Sequence, residues 1–298
     1  MYERLIRMLK MNDVEYKTDQ ELSALTSIKI GGRAAIVILP NTADKLISVA
    51  CLLQNEGINF KIVGRMTNVL PPDGYFNAPI ITTRRLLGFS VTDDGVVLAG
   101  AGETLARILR YCAEKNLGGC EALLGIPGTL GGLVTMNAGA FGSEISDFFS
   151  SALAYDIEGR EYIYLSRDEM CFSYRNSVIR ENRLLVLSVK LNLRPRQKAS
   201  IIADIDKYRR TRINNQPTEP SLGSVFMRSD GIIPAKLIDQ IGLRGKAVGG
   251  AMVSEKHAGF IVNRGGATAA DFKSLAEYIK REVYLRFGVT IREEVEYL

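Results

Sequence analysis

Hydrophobic and polar positions in the first 70 residues switch between the spacings of a strand and of a helix. A β-rich apolar run at 34–39 predicts a buried strand. Apolar positions at helical spacing follow Asn41 and Thr42, either of which can cap the start of a helix. A second short strand is predicted at 60–63. Because α/β units bind ligands beyond the carboxyl ends of their strands, the loop at 64–68 is a candidate ligand site.

The mixed pattern continues along the middle of the chain. A helix is predicted from an apolar stripe that includes Leu105 and Cys112, and Gly118 lies at its C-terminal end. Gly100 and Gly102 precede this helix, but Leu105 occupies the place of the third glycine of a dinucleotide-binding fingerprint. A nicotinamide-type Rossmann domain is therefore discounted. Further strands are predicted at 80–83, 96–99, 152–156, 161–165 and 184–193.

The last third of the chain begins after a polar stretch, 194–198, which predicts a domain boundary. A helix is predicted through 201–208. Thr268 and Asp271 have the spacing of a capping box, and the helix they open ends at Gly288. A final strand is predicted at 289–291. Strands and helices interleave without repeats or low-complexity segments, so the fold class is α+β.

Residues 123–144 form the most informative segment of the chain, because they are unusually rich in glycine. Each glycine loses extra backbone entropy on folding, so core packing does not explain the composition. Bare backbone amides are suited to binding an anion such as a pyrophosphate. A tight turn between two strands is the alternative. The residues that create this pattern are Gly125, Pro127, Gly128, Gly131, Gly132, Gly139 and Gly142.

Three further segments combine polar groups with apolar flanks. Residues 174–177 contain Arg175, which is either a structural ion-pair partner or a functional cation. Residues 220–226 form either a plain hairpin or a small-residue turn that presents a hydroxyl group. Residues 254–263 resemble the rim of a site, although a lone histidine such as His257 is more often a hydrogen-bonded structural residue.

Composition and charge narrow the class of protein. The 298 residues are enough for two or three domains, and 46% of them are hydrophobic and 24% charged. No apolar run approaches the ~18–20 residues that cross a bilayer, and the charged N-terminus is unlike a signal peptide. Four cysteines without metal-ligand spacing predict reduced thiols, no metal and a cytoplasmic location. A net charge of +5 without basic runs suits anionic small molecules rather than nucleic acid.

Five motifs in this order resemble the UDP-N-acetylenolpyruvoylglucosamine reductases, the MurB family of peptidoglycan synthesis. The resemblance covers nearly the whole chain. The short connection after the strand at 184–193 resembles the subtype that lacks an inserted tyrosine loop. The motifs are Gly-Ile-Pro-Gly-Thr-Leu-Gly-Gly (125–132), Asn-Ala-Gly-Ala-Phe-Gly (137–142), Tyr-Arg-Asn-Ser (174–177), Gly-Ser-Val-Phe (223–226) and Ser-Glu-Lys-His-Ala-Gly-Phe-Ile-Val-Asn (254–263).

The resemblance implies an α+β architecture with two FAD-binding subdomains, 1–72 and 73–197, of the PCMH/vanillyl-alcohol-oxidase type. A smaller α+β domain, 198–298, would bind a UDP-sugar. NADPH would reduce a non-covalently bound FAD, and the flavin would reduce an enolpyruvyl ether to a lactyl ether. A monomer without nucleic-acid or membrane partners is expected. An FAD-dependent oxidase on the same scaffold and a UDP-sugar-binding relative that has lost FAD are the alternatives.

Matching the motifs residue by residue assigns roles to individual side chains. Ser224 corresponds to the proton donor, Arg175 to the arginine that polarises the enolpyruvyl carboxylate, and Glu294 to the acidic residue beside it. The expected cofactor-binding residues are Gly64, Arg65, Met66, Thr67, Asn68, Gly125, Ile126, Pro127, Gly128, Thr129, Gly132, Asn137, Ala138 and Gly139. The expected substrate-binding residues are Tyr174, Arg209, Arg212, Gln216, Arg228, Lys236, Lys256 and His257.

Two departures from the family pattern carry expectations of their own. The family's first phosphate loop reads Gly-Ser-Asn, whereas Met66-Thr67-Asn68 stands here, so flavin affinity is the property that Met66 affects most. Met227 stands where a lysine is typical. Arg228 and the arginines at 209–212 are expected to supply the missing charge to the UDP phosphates.

Overall fold

A computed structural model describes residues 2–182, 184–229 and 231–298, without the side chain of Asn182. The helices are α1 (Glu3–Met11), α2 (Ala43–Asn55), α3 (Leu105–Glu114), α4 (Leu130–Thr135), α5 (Val178–Asn182), α6 (Lys198–Asn215), α7 (Pro234–Gln240) and α8 (Ala269–Phe287). Short 3₁₀ helices lie at Thr83–Arg85, Glu121–Leu123 and Ile145–Asp147.

The two longest strands, of eight residues each, lie at the centre of one sheet. The strands are β1 (Glu15–Glu21), β2 (Arg33–Leu39), β3 (Lys61–Val63), β4 (Val69–Leu70), β5 (Tyr75–Phe76), β6 (Ile80–Thr82), β7 (Phe89–Val91), β8 (Val96–Gly100), β9 (Leu117–Gly118), β10 (Gly139–Ala140), β11 (Ser143–Glu144), β12 (Phe149–Asp156), β13 (Glu161–Ser166), β14 (Leu185–Asn192), β15 (Arg194–Pro195), β16 (Ser221–Ser224), β17 (Ala247–Val248), β18 (Ala251–Val253), β19 (Phe260–Asn263) and β20 (Glu296–Tyr297).

The chain forms two compact units, each assembled from three segments. Unit 1 contains residues 1–17, 36–65 and 78–210, and unit 2 contains residues 18–35, 66–77 and 211–298. These geometric units divide the chain differently from the three predicted domains. The polar stretch at 194–198 is not a free linker, because β15 pairs with β9 and α6 begins at Lys198. The three-domain functional division stays a prediction.

Unit 1 combines an antiparallel sheet with a parallel one. Strands β13-β12-β14-β8-β7 form the antiparallel sheet, against which α4 packs through β8 and β14. In the parallel part, β6 pairs with both β2 and β3, so the carboxyl ends of these strands lie at one edge. Thr42 caps α2 by accepting the N–H of Lys45, as its sequence predicted. The predicted loop at 64–68 therefore begins at the expected edge of the sheet.

Unit 2 is built on an antiparallel sheet in the order β16-β19-β18-β17, with α8 packed against β17 and β18. The side chain of Phe272 on α8 is fully buried. The predicted capping box is confirmed, since Thr268 Oγ1 accepts the N–H of Asp271 at 3.0 Å and the Asp271 carboxylate accepts the N–H of Thr268. Gly288 ends α8 with a left-handed φ of 67°, also as predicted.

Two local predictions are wrong. The final strand lies at Glu296–Tyr297 instead of 289–291, because β20 pairs in parallel with β4, a partner 226 residues or more away along the chain. The helix α3 ends at Glu114, and Gly118 belongs to β9. Both strands have only two residues, which is too short to show an alternating hydrophobic pattern. Pairing with a partner strand therefore determines where each strand forms.

Candidate active site

Gly64 of the first predicted phosphate-binding stretch and Thr129 of the second meet in unit 1. A Cβ atom placed on Gly64 would lie 2.4 Å from Thr129 Oγ1, so only glycine fits there. The Thr82 hydroxyl donates to the Gly64 carbonyl at 3.0 Å and fixes the start of the first loop at the sheet edge. The structure thus brings residues of two separately predicted ligand-binding stretches into contact.

The glycine-rich stretch is a turn followed by the short helix α4. Gly125 and Gly128 have φ values of 91° and 149°, which favour glycine. Thr129 caps α4 through the N–H of Gly132 at 3.3 Å, while the N–H of Leu130 donates to the Glu103 carbonyl at 2.7 Å. Within the described part of the chain, the backbone N–H groups of Gly125 and Gly128 donate to no protein acceptor. The amides available to an anion therefore lie in the turn before α4.

Arg175 is anchored to the second half of the glycine-rich segment. It lies in a tight turn closed by Ser173 and Asn176, with a left-handed φ of 56°. Its guanidinium donates to the carbonyls of Asn137 at 3.3 Å and Gly139 at 3.1 Å, and its carbon lies 4.9 Å from the centre of the exposed Tyr174 ring. The polar turn predicted at 174–177 therefore holds Arg175 against the β10–β11 hairpin.

The side chain of Asn137 is used within the protein. It is 1% exposed, and its Nδ2 donates to Glu144 Oε2 at 2.8 Å and to the Ser173 carbonyl at 3.0 Å. Its Oδ1 accepts the N–H of Ser146 at 3.3 Å. Asn137 thus joins the hairpin to the turn that carries Arg175. Sequence reasoning had expected this residue to bind the cofactor.

Ser224 is exposed at the end of β16, in unit 2. A β-bulge interrupts the pairing of β16 with β19 between Ser221 and Ser224, and Gly223 within it has a φ of 83°. Such bulges redirect a side chain at the edge of a site. The Ser224 hydroxyl makes no hydrogen bond to another described residue. The segment is therefore a bulged strand, rather than the plain hairpin that was the alternative.

Glu294 lies beside the same strand. Its backbone N–H donates to the Val225 carbonyl at 2.7 Å, and its carbonyl accepts Asn68 Nδ2 at 2.8 Å. The neighbouring Glu293 forms an isolated bridge with Phe226. Unit 2 therefore brings two of the predicted catalytic residues, Ser224 and Glu294, onto adjacent backbones.

His257 lies close to Phe260, the residue that pairs with Ser224 on the neighbouring strand. Ser224 pairs with Phe260, whose ring centre is 4.9 Å from that of His257 in an edge-on arrangement. The imidazole Nδ1 accepts the N–H of Gly259 at 3.1 Å. Burial, and then the nearby Arg244, hold the pKa of His257 below its usual value.

The other predicted substrate residues differ in their surroundings. Burial lowers the pKa of Arg212, whose guanidinium is 3.5 Å from Gln216 Oε1. The ammonium of Lys256 donates to the Ile213 carbonyl near the end of α6, a favourable position for a cation. Among the eight, the exposed residues are Tyr174, Arg209, Arg228, Lys236 and Lys256, and the half-buried ones are Arg212, Gln216 and His257.

The predicted cofactor residues are likewise mixed. Met66 is 4% exposed and has a left-handed φ of 51°. Its side chain therefore packs within the protein instead of lining an open cleft. Besides Met66, Thr129 and Asn137 are buried; Arg65, Gly125, Pro127 and Gly132 are exposed; and Gly64, Thr67, Asn68, Ile126, Gly128, Ala138 and Gly139 are half-buried.

Arg84 is a cation near Arg65 that was not predicted as a site residue from the sequence. Arg84 follows β6 and is half-buried, and burial together with the charges of Arg85 and Arg65 lowers its pKa. Arg85 pairs with Glu15, whereas no ion pair holds Arg84 among the described residues. The same rule that identified 64–68, polar residues directly after a parallel strand, could have identified Arg84.

All four cysteines are free, and burial raises the pKa of Cys112 to about 11. Across residues 2–182, 184–229 and 231–298, no cluster of His, Cys, Asp and Glu side chains could hold a metal ion. None of the helices described is both long and apolar enough to cross a membrane.

Comparison with known proteins identifies relatives over the whole chain. A model of FAD-binding domains matches residues 34–161, and a model of the UDP-N-acetylenolpyruvoylglucosamine reductase C-terminal domain matches residues 216–298. A UDP-N-acetylenolpyruvoylglucosamine reductase of Caldicellulosiruptor saccharolyticus is 39% identical over 98% of this chain and 94% of its own length. The enzyme of that name from Thermosipho melanesiensis is 38% identical over 97% of each chain.

A solved structure agrees with these relatives. The chain is similar to the crystal structure of UDP-N-acetylenolpyruvylglucosamine reductase (MurB) from Thermus caldophilus, with a TM-score of 0.79 and 29% identity. The match covers 95% of this chain and 98% of that chain. An FAD-binding region followed by a C-terminal domain of this reductase type is therefore the architecture of the protein.

Proposed function

The chain belongs to the UDP-N-acetylenolpyruvoylglucosamine reductase family, and on this premise we propose that Ser224, Arg175 and Glu294 carry its reaction. The protein is an FAD- and NADPH-dependent oxidoreductase of peptidoglycan precursor synthesis. It reduces UDP-N-acetylglucosamine enolpyruvate to UDP-N-acetylmuramate. The observation that supports the residue roles best is the placement of Ser224 on a β-bulge, exposed and next to the backbone of Glu294.

The residues around Gly64 and Thr129 fit a flavin nucleotide. The N–H groups of Gly125 and Gly128 can donate hydrogen bonds to phosphate oxygens beside the Gly64 backbone, and Arg65 adds positive charge. We propose that these residues hold FAD, with Arg84 as a further cation. When bound, FAD would supply the substrate with a hydride that comes originally from NADPH.

Ser224 is proposed as the proton donor. Reduction of an enol ether conjugated to a carboxylate leaves a carbon that must take up a proton, and the exposed hydroxyl can deliver it. A serine is a weak acid, so it needs a group that stabilises the oxyanion it leaves behind or returns a proton to it. Glu294 lies on the adjacent backbone and is proposed to take part in this proton supply.

Arg175 is proposed to bind the enolpyruvyl carboxylate. A guanidinium offers two parallel N–H donors to a carboxylate, and its charge stabilises the negative charge that develops during reduction. The carbonyls of Asn137 and Gly139 hold the guanidinium in a fixed orientation. Such preorganisation avoids the cost of ordering a long side chain when the substrate binds.

The remaining proposals concern the binding of the UDP phosphates and the cellular location. Arg209, Arg212, Arg228 and Lys236 are proposed to receive the phosphates, with Gln216, Tyr174, Lys256 and His257 as further contacts. A cytoplasmic location is proposed because all four cysteines are free. A monomer stays the expected oligomeric state, and size-exclusion chromatography with light scattering tests it.

Anaerobic stopped-flow absorbance of the purified protein tests the proposed function. Trichloroacetic acid should release FAD into the supernatant, since no covalent link is expected. The NADPH-reduced flavin should be reoxidised much faster by the enolpyruvyl UDP-sugar than by oxygen. Faster reoxidation by oxygen would support an oxidase, and protein that binds no FAD would support the binding relative.

A further inference from the structure

The C-terminal segment that carries Glu294 is held by hydrogen bonds on both sides. On one side, the N–H of Glu294 donates to the Val225 carbonyl at 2.7 Å, and the N–H of Met227 donates to the Arg292 carbonyl at 2.9 Å. On the other side, Asn68 Nδ2 donates to the Glu294 carbonyl at 2.8 Å. We propose that Asn68 is a positioning residue for Glu294, rather than a ligand of the flavin.

The backbone of Asn68 supports the same segment. The N–H of Glu296 donates to the Asn68 carbonyl at 2.9 Å, and the N–H of Leu298 donates to the Leu70 carbonyl at 3.2 Å. These bonds form the parallel pairing of β20 with β4. Asn68 therefore contacts the terminal segment through its side chain and its main chain, and the two contacts fix the segment directly after Glu294.

Ser27 joins the loop of Asn68 to the strand of Ser224. Its hydroxyl is 2.6 Å from the Ser221 carbonyl and 3.4 Å from the Thr67 carbonyl. Ser221 and Ser224 are the two ends of β16. The loop at 66–68, the strand β16 and the terminal segment thus form one hydrogen-bonded frame around Ser224 and Glu294.

Such a frame matters because a reacting group must be held at a fixed position. A reacting group displaced by about 1 Å can cost about 10²-fold in rate. Loss of the Asn68 amide should therefore impair the step in which Glu294 acts and leave the other step unchanged. This inference rests on the proposed role of Glu294.

Asn68→Ala and Asn68→Asp test the inference together. Aspartate has nearly the size of asparagine but no amide N–H to donate. It therefore separates the effect of the hydrogen bond from the effect of side-chain volume. Both variants should retain FAD in a 1:1 ratio and be reduced by NADPH at the wild-type rate. Reoxidation by the enolpyruvyl UDP-sugar should slow by about 10- to 100-fold. Tyr297→Phe is the matched control, because it removes the hydroxyl that contacts Glu293 on the same segment and should leave reoxidation near the wild-type rate.

A double-mutant cycle with Glu294→Gln distinguishes the possible outcomes. If Asn68 acts through Glu294, the alanine substitution should have little further effect in the Glu294→Gln background. A full further loss in that background, or loss of FAD from both Asn68 variants, would overturn the inference and make Asn68 a flavin ligand. Normal reoxidation in Glu294→Gln alone would instead remove Glu294 from the proposed function.

Discussion

Met66 combines a glycine-like backbone conformation with a buried side chain. Its φ of 51° lies in the left-handed region that favours glycine, and its side chain is 4% exposed. A left-handed conformation costs a non-glycine residue about 1–2 kcal/mol. The buried side chain offsets that cost through packing.

Met66→Gly should reduce stability more than it changes flavin binding. Removing a buried methionine costs about 2–5 kcal/mol, and relief of the left-handed φ returns about 1–2 kcal/mol. We expect a lower midpoint of urea unfolding and an unchanged Kd for FAD by fluorescence titration, with Met66→Leu as the control that keeps the apolar volume. A clearly lower Kd in the glycine variant would show that the side chain crowds the phosphates.

His257 should make stability depend on pH. Its pKa in the folded protein is lowered by burial and by Arg244, whereas an unfolded histidine titrates near 6.5. Between the two values the unfolded chain binds more protons, so stability decreases as the pH falls below about 6.5. His257→Asn, which keeps an acceptor for the N–H of Gly259, should show a smaller decrease in unfolding free energy between pH 8 and pH 5. An equal decrease in both proteins would assign the pH dependence to other groups.

At the scale of elements, the helix caps were predicted correctly and the long-range strand pairing was not. The cap at Thr42 and the capping box at Thr268 depend on neighbours in sequence, so the sequence predicts them. The partner of β20 is decided by contacts with a segment more than two hundred residues away. The role of Asn68 depends on that same pairing and was therefore missed.

The pairing of β20 also changes how Glu294 should be tested. Truncation after Glu293 would remove both Glu294 and a strand of unit 2, so loss of activity would not separate chemistry from folding. Glu294→Gln keeps β20 and alters only the carboxylate.

An ion pair between the half-buried Arg196, which follows β15, and the buried Glu121 lies beside the start of the glycine-rich segment. Glu121 is 2% exposed, and its carboxylate contacts Arg196 at 2.9 Å and the N–H of Gly119 at 2.9 Å. Arg196→Ala should lower the unfolding free energy by about 2–4 kcal/mol, because it leaves Glu121 buried without its cation. Urea unfolding measures this, with the exposed Arg194→Ala as the control. Equal losses in the two variants would mean that the pair contributes nothing beyond a surface contact.

At the scale of the whole molecule, each unit depends on segments that are distant in sequence. The core of unit 2 includes Ile28, Ile30 and Leu70 together with Phe272. The fold class and the family motifs could be predicted from the sequence, because motifs are local. The three-segment composition of each unit could not, since no local pattern states which distant segments share a core.

A fragment containing residues 211–298 should therefore fail to fold alone. It lacks the segments at 18–35 and 66–77, which supply buried residues to the core of unit 2. Far-UV circular dichroism and proton NMR should show an unfolded chain, and full-length protein is the control. A cooperative unfolding transition in the fragment would show that its own residues are a sufficient core.

The role of Ser224 is the central claim about the chemistry, and the Ser224→Ala variant tests it most directly. Stopped-flow absorbance of the flavin separates reduction by NADPH from reoxidation by the enolpyruvyl UDP-sugar. We predict an unchanged rate of reduction and a reoxidation slower by about 10²–10⁴-fold, the usual contribution of a general acid. That factor corresponds to about 3–5 kcal/mol of activation free energy. Reoxidation near the wild-type rate, or an equal loss in both half-reactions, would contradict the assignment of Ser224 as the proton donor.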